Sequence, residues 1–394
     1  MDVAKKNVSI LAVCQALLFT NNSILITVNA LVGYALATDK ALATLPVTSY
    51  FVGSALATLP LAMFMKRYGR RAGFTLGAVF AIAGSLACAA AVYAGNFRLL
   101  CFGVIVLGAY FAAGQHYRFA GADSVAPDFK SRAISLVLAG GIAGGFLGPE
   151  TSKLTTDLVA GHPYTGAYLS LVAFALLSIL ALRWLDIPPL PDSERREPGR
   201  PLARIALQPV FAVAVLCGMV SYGVMNLLMT ATPLAMDASR HPFSEAAFVI
   251  QWHMVGMFAP SFFTGNLINR FGLMAVMLVG VALNIVCVAI ALSGVDVMHF
   301  WLALVLLGIG WNFMFVGATA LLTECHTPAE RAKAQGVNDT AIFLTMIVSS
   351  LASGALFTIQ GWQAMNMWAV PVLLAAGAAV LWLAWMRRHA TRAA

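Results

Sequence analysis

The sequence predicts an all-α polytopic membrane protein, with twelve transmembrane helices in two pseudo-symmetric six-helix bundles. Three observations carry that expectation. The chain is 60% hydrophobic and 10% charged, against about 25% charged in soluble domains, so apolar surface must face lipid. Twelve apolar blocks follow one another, each near the roughly 20 residues that cross a bilayer. The second half also echoes the first: AMFMKRYGRR at 62–71 returns as GNLINRFG at 265–272.

The blocks run 8–32, 42–65, 73–94, 99–121, 133–154 and 166–185, then 209–233, 246–268, 274–293, 298–322, 335–358 and 364–386. Gly and Pro recur inside them, which lipid-embedded helices tolerate. Lys66–Arg71, Asn96, Pro127, Pro163, Pro242 and Pro328 punctuate the breaks. The first block is too long for the h-region of a signal peptide, about 7–15 residues. DIPPLPDSERREPGRP at 186–201 is the longest polar stretch and reads as a flexible linker. The expected organisation is a bundle at 1–185, a cytoplasmic linker at 186–208 and a second bundle at 209–394. With both termini cytoplasmic, only Lys40, Arg98, Lys153 and Arg240 of the 24 Lys and Arg residues fall on the outer side. That asymmetry satisfies the positive-inside rule, so the net charge of +8 is a topology signal and calls for no nucleic-acid partner.

The echo is regular. Arg67 and Arg270, Gly69 and Gly272, and Gly53 and Gly256 are each 203 residues apart. Asn22 and Asn226 are 204 apart, and Asp123-x3-Pro127 returns as Glu324-x3-Pro328. Paired halves of this kind build many secondary transporters, with the binding site at the repeat interface. A short turn after block 2 needs Gly where the helix stops, and its arginines suit carboxylates and helix C-terminal carbonyls. Asp123 and Glu324 are their expected partners.

These motifs resemble the major facilitator superfamily over nearly the whole chain. Its loop signature G-x3-D-R-x-G-R-R/K appears as Ala62-x3-Lys66-Arg67-x-Gly69-Arg70-Arg71 and again as Gly265-x3-Asn269-Arg270-x-Gly272; its helix-5 signature G-x3-G-P appears as Gly144-x3-Gly148-Pro149. The resemblance implies alternating access, a conformational latch in the loop layer (Lys66, Arg67, Gly69, Arg70, Asp123, Asn269, Arg270, Gly272, Glu324, Asp339), and a cavity lined by helices 1, 4, 7 and 10. The chain departs from the pattern where Lys66 and Asn269 replace the loop acid. A swapped pair, Lys66 with Asp339 of helix 11, is the expected compensation; alternatively Lys66 snorkels and Asp339 fills the helix's first turn.

Polar residues within the blocks need a reason. Gln15, Asn22 and Asn29 share one helical face, and Asn22 and Asn226 are expected to face each other as solute-binding amides or packing bonds. Arg118, beside His116 in helix 4, either meets an anionic substrate or gate, or snorkels to the cytoplasmic surface. The arginine that exporters of the superfamily carry earlier in helix 4 is missing; Val104 stands in that region. His253 suits a proton switch or a satisfied core position. Trp311-Asn312 suits a planar solute, or Trp311 is filler toward lipid. Glu150 with Lys153 reads as an interfacial pair or a coupling carboxylate.

Substrate-binding candidates are therefore Asn22, Asn226, Arg118, His253, Trp311 and Asn312; proton-coupling candidates are Asp339, His253, Glu150 and His116. No G-x4-GK[ST], H-E-x-x-H, G-x-S-x-G or metal-spaced His/Cys cluster occurs, which argues against ATP-driven or hydrolytic chemistry. No cofactor, metal or catalytic residue is expected. The resulting expectation is a secondary active transporter of a small organic solute in a bacterial-type inner membrane, a monomer in a lipid bilayer with protons as coupling ion, running proton-coupled efflux. The alternative is an uptake permease for a planar, vitamin-like nutrient such as a riboflavin-like compound; a membrane receptor or enzyme is the remote third reading.

Overall fold

The computed structural model describes residues 3–39, 42, 45–187 and 199–393. Lys40, Arg195, Arg196 and most of the expected linker (188–198) lie outside the described residues. Helices α1 (Val3–Leu36), α2 (Leu45–Tyr68), α3 (Arg70–Tyr93), α4 (Phe97–Asp123), α5 (Pro127–Thr155) and α6 (Thr165–Leu182) come first. Then follow α7 (Pro209–Ala238), α8 (Phe243–Phe258 with Ser261–Phe271), α9 (Leu273–Ser293) and α10 (Val297–Leu322). A final helical stretch, Arg331–Ala393, breaks at Gly361, where φ is 78° and ψ 178°. It divides there into α11 (331–360) and α12 (362–393).

Among the described residues, ten helices are long and apolar enough to cross a membrane, and the bent pair in α8 makes eleven. The last of these is 59 residues long, about 88 Å at 1.5 Å per residue, far more than a bilayer core of about 30 Å. Split at Gly361 it supplies two crossings, which brings the count to the expected twelve. Apolar side chains such as Leu56, Phe102, Leu176, Phe262 and Val286 stand exposed along these helices. Surface of that kind is stable against lipid.

The described residues pack as two units. One lies within Met1–Val125, Leu136–Pro198 and Pro328–Leu344; the other within Ala126–Ser135, Gly199–Thr327 and Thr345–Ala394. The start of α5 thus packs with the second unit, and the first half of α11 with the first. In the first unit α4 packs on α2 and α3, and α1 on α5; in the second, α10 packs on α7, α8 and α9. Glycines permit the closest of these approaches. A Cβ on Gly53 of α2 would meet the Ile105 backbone of α4, and one on Gly256 of α8 the Val305 backbone of α10.

The helix-5 signature has the same physical basis. Gly140, Gly144 and Gly148, four residues apart and so on one face, lie against Ala12, Phe19 and Ser23 of α1. They form a small-residue seam that brings two helix backbones together.

The break in α8 differs from the unbroken block expected at 246–268. Its two parts meet at 41° around Ala259–Pro260. Proline lacks the N–H that would continue the ladder, so carbonyls before it need other donors.

Candidate functional site

The repeated turn is conserved in its backbone. Gly69 has φ 90° and Gly272 φ 87°, the left-handed region where a Cβ is strained. Each serves as the joint between two helices, α2 to α3 and α8 to α9.

The side chains around the two turns diverge. In the first unit Arg70 donates to Asp123 (2.9 Å) and to Gln335 of α11 (2.7 Å). Asp123 also meets Arg331 at 2.8 Å. In the second unit Glu324, the repeat mate of Asp123, pairs instead with Arg387 of α12 at 2.6 Å on a half-exposed surface. Arg270 lies over the Phe271 ring at 5.1 Å, and Asn269 donates to the Asp128 carbonyl. The expected partnership of loop arginine and helix-end acid therefore holds for Arg70 with Asp123, while Glu324 serves a different helix.

Asp339 pairs with Arg118, and the expected Lys66–Asp339 pair gives way to this geometry. Arg118 Nη2 donates to Asp339 Oδ1 at 2.5 Å, with the two side chains 1% and 2% exposed. Nη1 of the same guanidinium donates to the carbonyl and side-chain oxygens of Gln115 at 2.6 and 2.5 Å, and Asn338 donates a further bond to Asp339 Oδ1. Arg118 is buried, so the expectation that it snorkels to the surface fails. α4 turns tightly at His116, where the backbone N–H reaches back three residues to Ala113. The side chain of His116 is fully buried, and neither ring nitrogen has a hydrogen-bond partner.

The interior amides separate by role. Asn312 donates to the Met257 carbonyl (2.7 Å) and to Ser261 (2.5 Å) and accepts from Thr264 (2.7 Å). It clamps both sides of the α8 break, donating to the Met257 carbonyl on one side and to Ser261 on the other. Its amide is consumed by the fold, which removes it from the solute-binding candidates. Asn226 donates to Met346 and Ser349 of α11, and Asn29 accepts from Tyr168 of α6; both are interhelical bonds. Asn22 differs: it is 8% exposed and makes no hydrogen bond among the described residues. His253 is a core histidine held by the Leu304 carbonyl at 2.7 Å. Glu150 bonds Lys153 at 2.7 Å with its side chain 65% exposed, outside any polar interior.

Aromatic rings complete the picture, and most escaped the sequence reading. In the first unit Phe111 of α4 stacks on Tyr50 of α2 (5.3 Å) and meets Phe19 of α1 (6.1 Å) and Phe343 of α11 (5.5 Å). In the second unit Phe315 of α10 meets Tyr222 of α7 (4.9 Å) and stacks on Trp311 (5.0 Å). Trp311 is fully buried and so is no filler toward lipid. Phe111 and Phe315 are 204 residues apart, Phe19 and Tyr222 203. The repeat offset was the signal that could have found them. Phe19 and Asn22 are three apart on α1, hence on one face, so the open amide sits a turn from the edge of the ring stack.

A family model described as Major Facilitator Superfamily matches residues 11–250 and 214–394. The chain is 43% identical over 376 residues to the riboflavin transporter RfnT of Brucella anthropi, with 94% of each chain covered. It is 29% identical over 348 residues to the uncharacterized MFS-type transporter YddS of Bacillus subtilis, covering 84% of this chain and 79% of that one. Its fold is similar to that of the human organic anion transporter MFSD10 (TM-score 0.79, 12% identity, 96% and 99% covered). It is also similar to the E. coli fucose:proton symporter FucP (TM-score 0.73, 17% identity, 96% and 98% covered). At these identities the two structures speak for the fold alone.

Proposed function

The chain belongs to the Major Facilitator Superfamily, and we propose that it carries riboflavin, or a closely related flat heterocycle, into the cell by alternating access. The similarity to a riboflavin transporter along 94% of both chains is the observation that carries this reading.

The residues suit such a solute. A flavin ring offers a flat aromatic face and a dione edge that pairs with amides. The Phe19–Phe111–Tyr50 rings supply stacking faces, worth about 0.5–1.5 kcal/mol per pair beyond area burial. The open amide of Asn22 supplies a hydrogen-bonding partner beside them. Riboflavin carries no phosphate, so it needs no cationic anchor; Arg118 is already committed to Asp339. The helix-5 signature, which the resemblance associates with exporters of the superfamily, is accounted for by the packing of its glycines against α1, without reference to direction. We place both termini and the basic loops on the cytoplasmic side of a bacterial inner membrane, with a monomer as the working unit.

The test is flavin counterflow in proteoliposomes, read by fluorescence, with growth rescue of a riboflavin auxotroph for direction. Asn22→Leu is expected to raise the half-saturating concentration about fivefold, the loss of one neutral hydrogen bond of about 1 kcal/mol. Folded protein that exchanges no flavin would overturn the assignment.

A further inference from the structure

A threonine inside a helix ordinarily returns its hydroxyl to the carbonyl four residues back. Thr20, Thr58, Thr232 and Thr264 do so, donating to the carbonyls of Ala16, Ser54, Leu228 and Pro260. Thr340 of α11 has Gly336 at the same spacing and does not take that bond. Its Oγ1 is buried and has no hydrogen-bond partner among the described residues. Buried polar atoms are normally paired, and leaving one unpaired is costly.

Its position gives that hydroxyl a use. Thr340 is three residues from Phe343, hence on the same face of α11 and about 4.5 Å away along the axis. Phe343 meets Phe111 of α4 at 5.5 Å, in the ring group that also holds Phe19 and Tyr50. Asn22, the open amide, stands three residues after Phe19 on α1; Thr340 stands three residues before Phe343 on α11. Successive membrane crossings alternate in sense, so α1 and α11 run the same way. The open amide and the open hydroxyl therefore fall on opposite sides of the rings. Both Phe19 and Phe343 touch Phe111, so the two polar groups are separated by about 9 Å along the helix axes. All of these residues belong to the first unit.

We propose that Thr340 reads the ribityl tail of the flavin, and so selects flavins that carry a polyol over those that do not. The inference rests on the flavin reading above and adds a specificity-determining residue to it. Riboflavin joins a flat ring, whose dione edge pairs with amides, to a chain of hydroxyls. With the ring against Phe111 and Phe343 and its dione edge toward Asn22, the tail lies on the side of Thr340. A threonine hydroxyl both donates and accepts, so it can take either end of a hydrogen bond to that chain. Thr340 is already unpaired at rest, so a flavin without the tail breaks nothing further. The discrimination is that of one neutral bond gained, about fivefold.

Counterflow in proteoliposomes tests this, run with riboflavin and with lumiflavin, which has a methyl group in place of the ribityl tail. The unaltered protein is expected to prefer riboflavin by about fivefold. Thr340→Val keeps the branched shape and removes the hydroxyl. It is expected to raise the half-saturating concentration of riboflavin about fivefold and to leave that of lumiflavin within about twofold. Thr340→Ser, which keeps a hydroxyl, is expected to retain the preference. Because Thr340 Oγ1 bonds no protein group, the valine variant should melt no lower than the unaltered protein. A lower melting temperature, or failure to fold, would reveal a structural partner and overturn the proposal. Equal weakening of both flavins, or of neither, overturns it as well. Exchange of neither flavin by the unaltered protein sinks the substrate assignment itself, whereas exchange with an unmoved preference in Thr340→Val sinks this inference alone.

Discussion

Breaking the Arg118–Asp339 pair from either side should cost far more than removing both partners. The structure places the guanidinium and carboxylate in direct contact with side chains 1% and 2% exposed, so neither charge has solvent to fall back on. Arg118→Met leaves a buried carboxylate whose remaining hydrogen bond comes from Asn338. Asp339→Leu leaves a buried guanidinium without its carboxylate, its bonds to Gln115 retained. Each single change is expected to cost about 3–5 kcal/mol, and the apolar double variant about zero or less. The two single costs less the double give a coupling energy of about 6 kcal/mol or more. The chain carries its own reporters: Cys14, Cys88, Cys217, Cys287 and Cys325 are buried free thiols, and a thiol-reactive fluorophore reads their exposure during denaturant titration. Additivity within about 0.5 kcal/mol, the behaviour of independent sites, would refute the pairing and the reasoning built on it.

Other changes separate structural from functional roles. Asn312→Leu strips the clamp from the α8 break, leaving the Met257 carbonyl without its donor; at about 1–3 kcal/mol for a buried orphan, yield and melting temperature should fall while the half-saturating concentration of surviving protein stays put. Gly144→Leu forces a side chain into the α1 backbone at Phe19 and should lower stability by about 1–3 kcal/mol or more, measured by the same thiol titration. Glu324→Gln should cost less than about 1 kcal/mol, because its pair with Arg387 is half-exposed. Asp123→Asn, which serves Arg70 and Arg331 at once, should cost several times more in that assay.

The helices were legible because lipid enforces them. A segment of about 20 apolar residues has few alternatives in a bilayer, and a Gly with positive φ at the end of a helix marks itself. Residue partnerships were less legible. Three amides on one face of α1 look alike in sequence, yet Asn29 finds Tyr168 and Asn22 finds no partner among the described residues. Asn312 looked like a ligand because a buried amide is costly; the missing datum was the α8 break, which consumes it. The Lys66–Asp339 pairing failed for a similar reason. Charge balance along the chain says that Asp339 needs a cation, but only packing says that the cation is Arg118 on α4. The aromatic rings at 19, 50, 111 and 315 were hidden by abundance, since Phe in a membrane helix is ordinarily filler.

The two glycine turns let the molecule be compared with its own duplicate. Both copies retain the left-handed joint, which ordinary side chains resist, while the chemistry around it has drifted. One copy gathers Arg70, Arg331 and Gln335 about a single acid and its neighbours. The other has let its acid wander to a terminal helix at the surface. The same left-handed joint thus carries two different sets of contacts, and a chimera that repeats the first half twice would carry Arg70 and Asp123 at both turns but neither Arg331 nor Gln335.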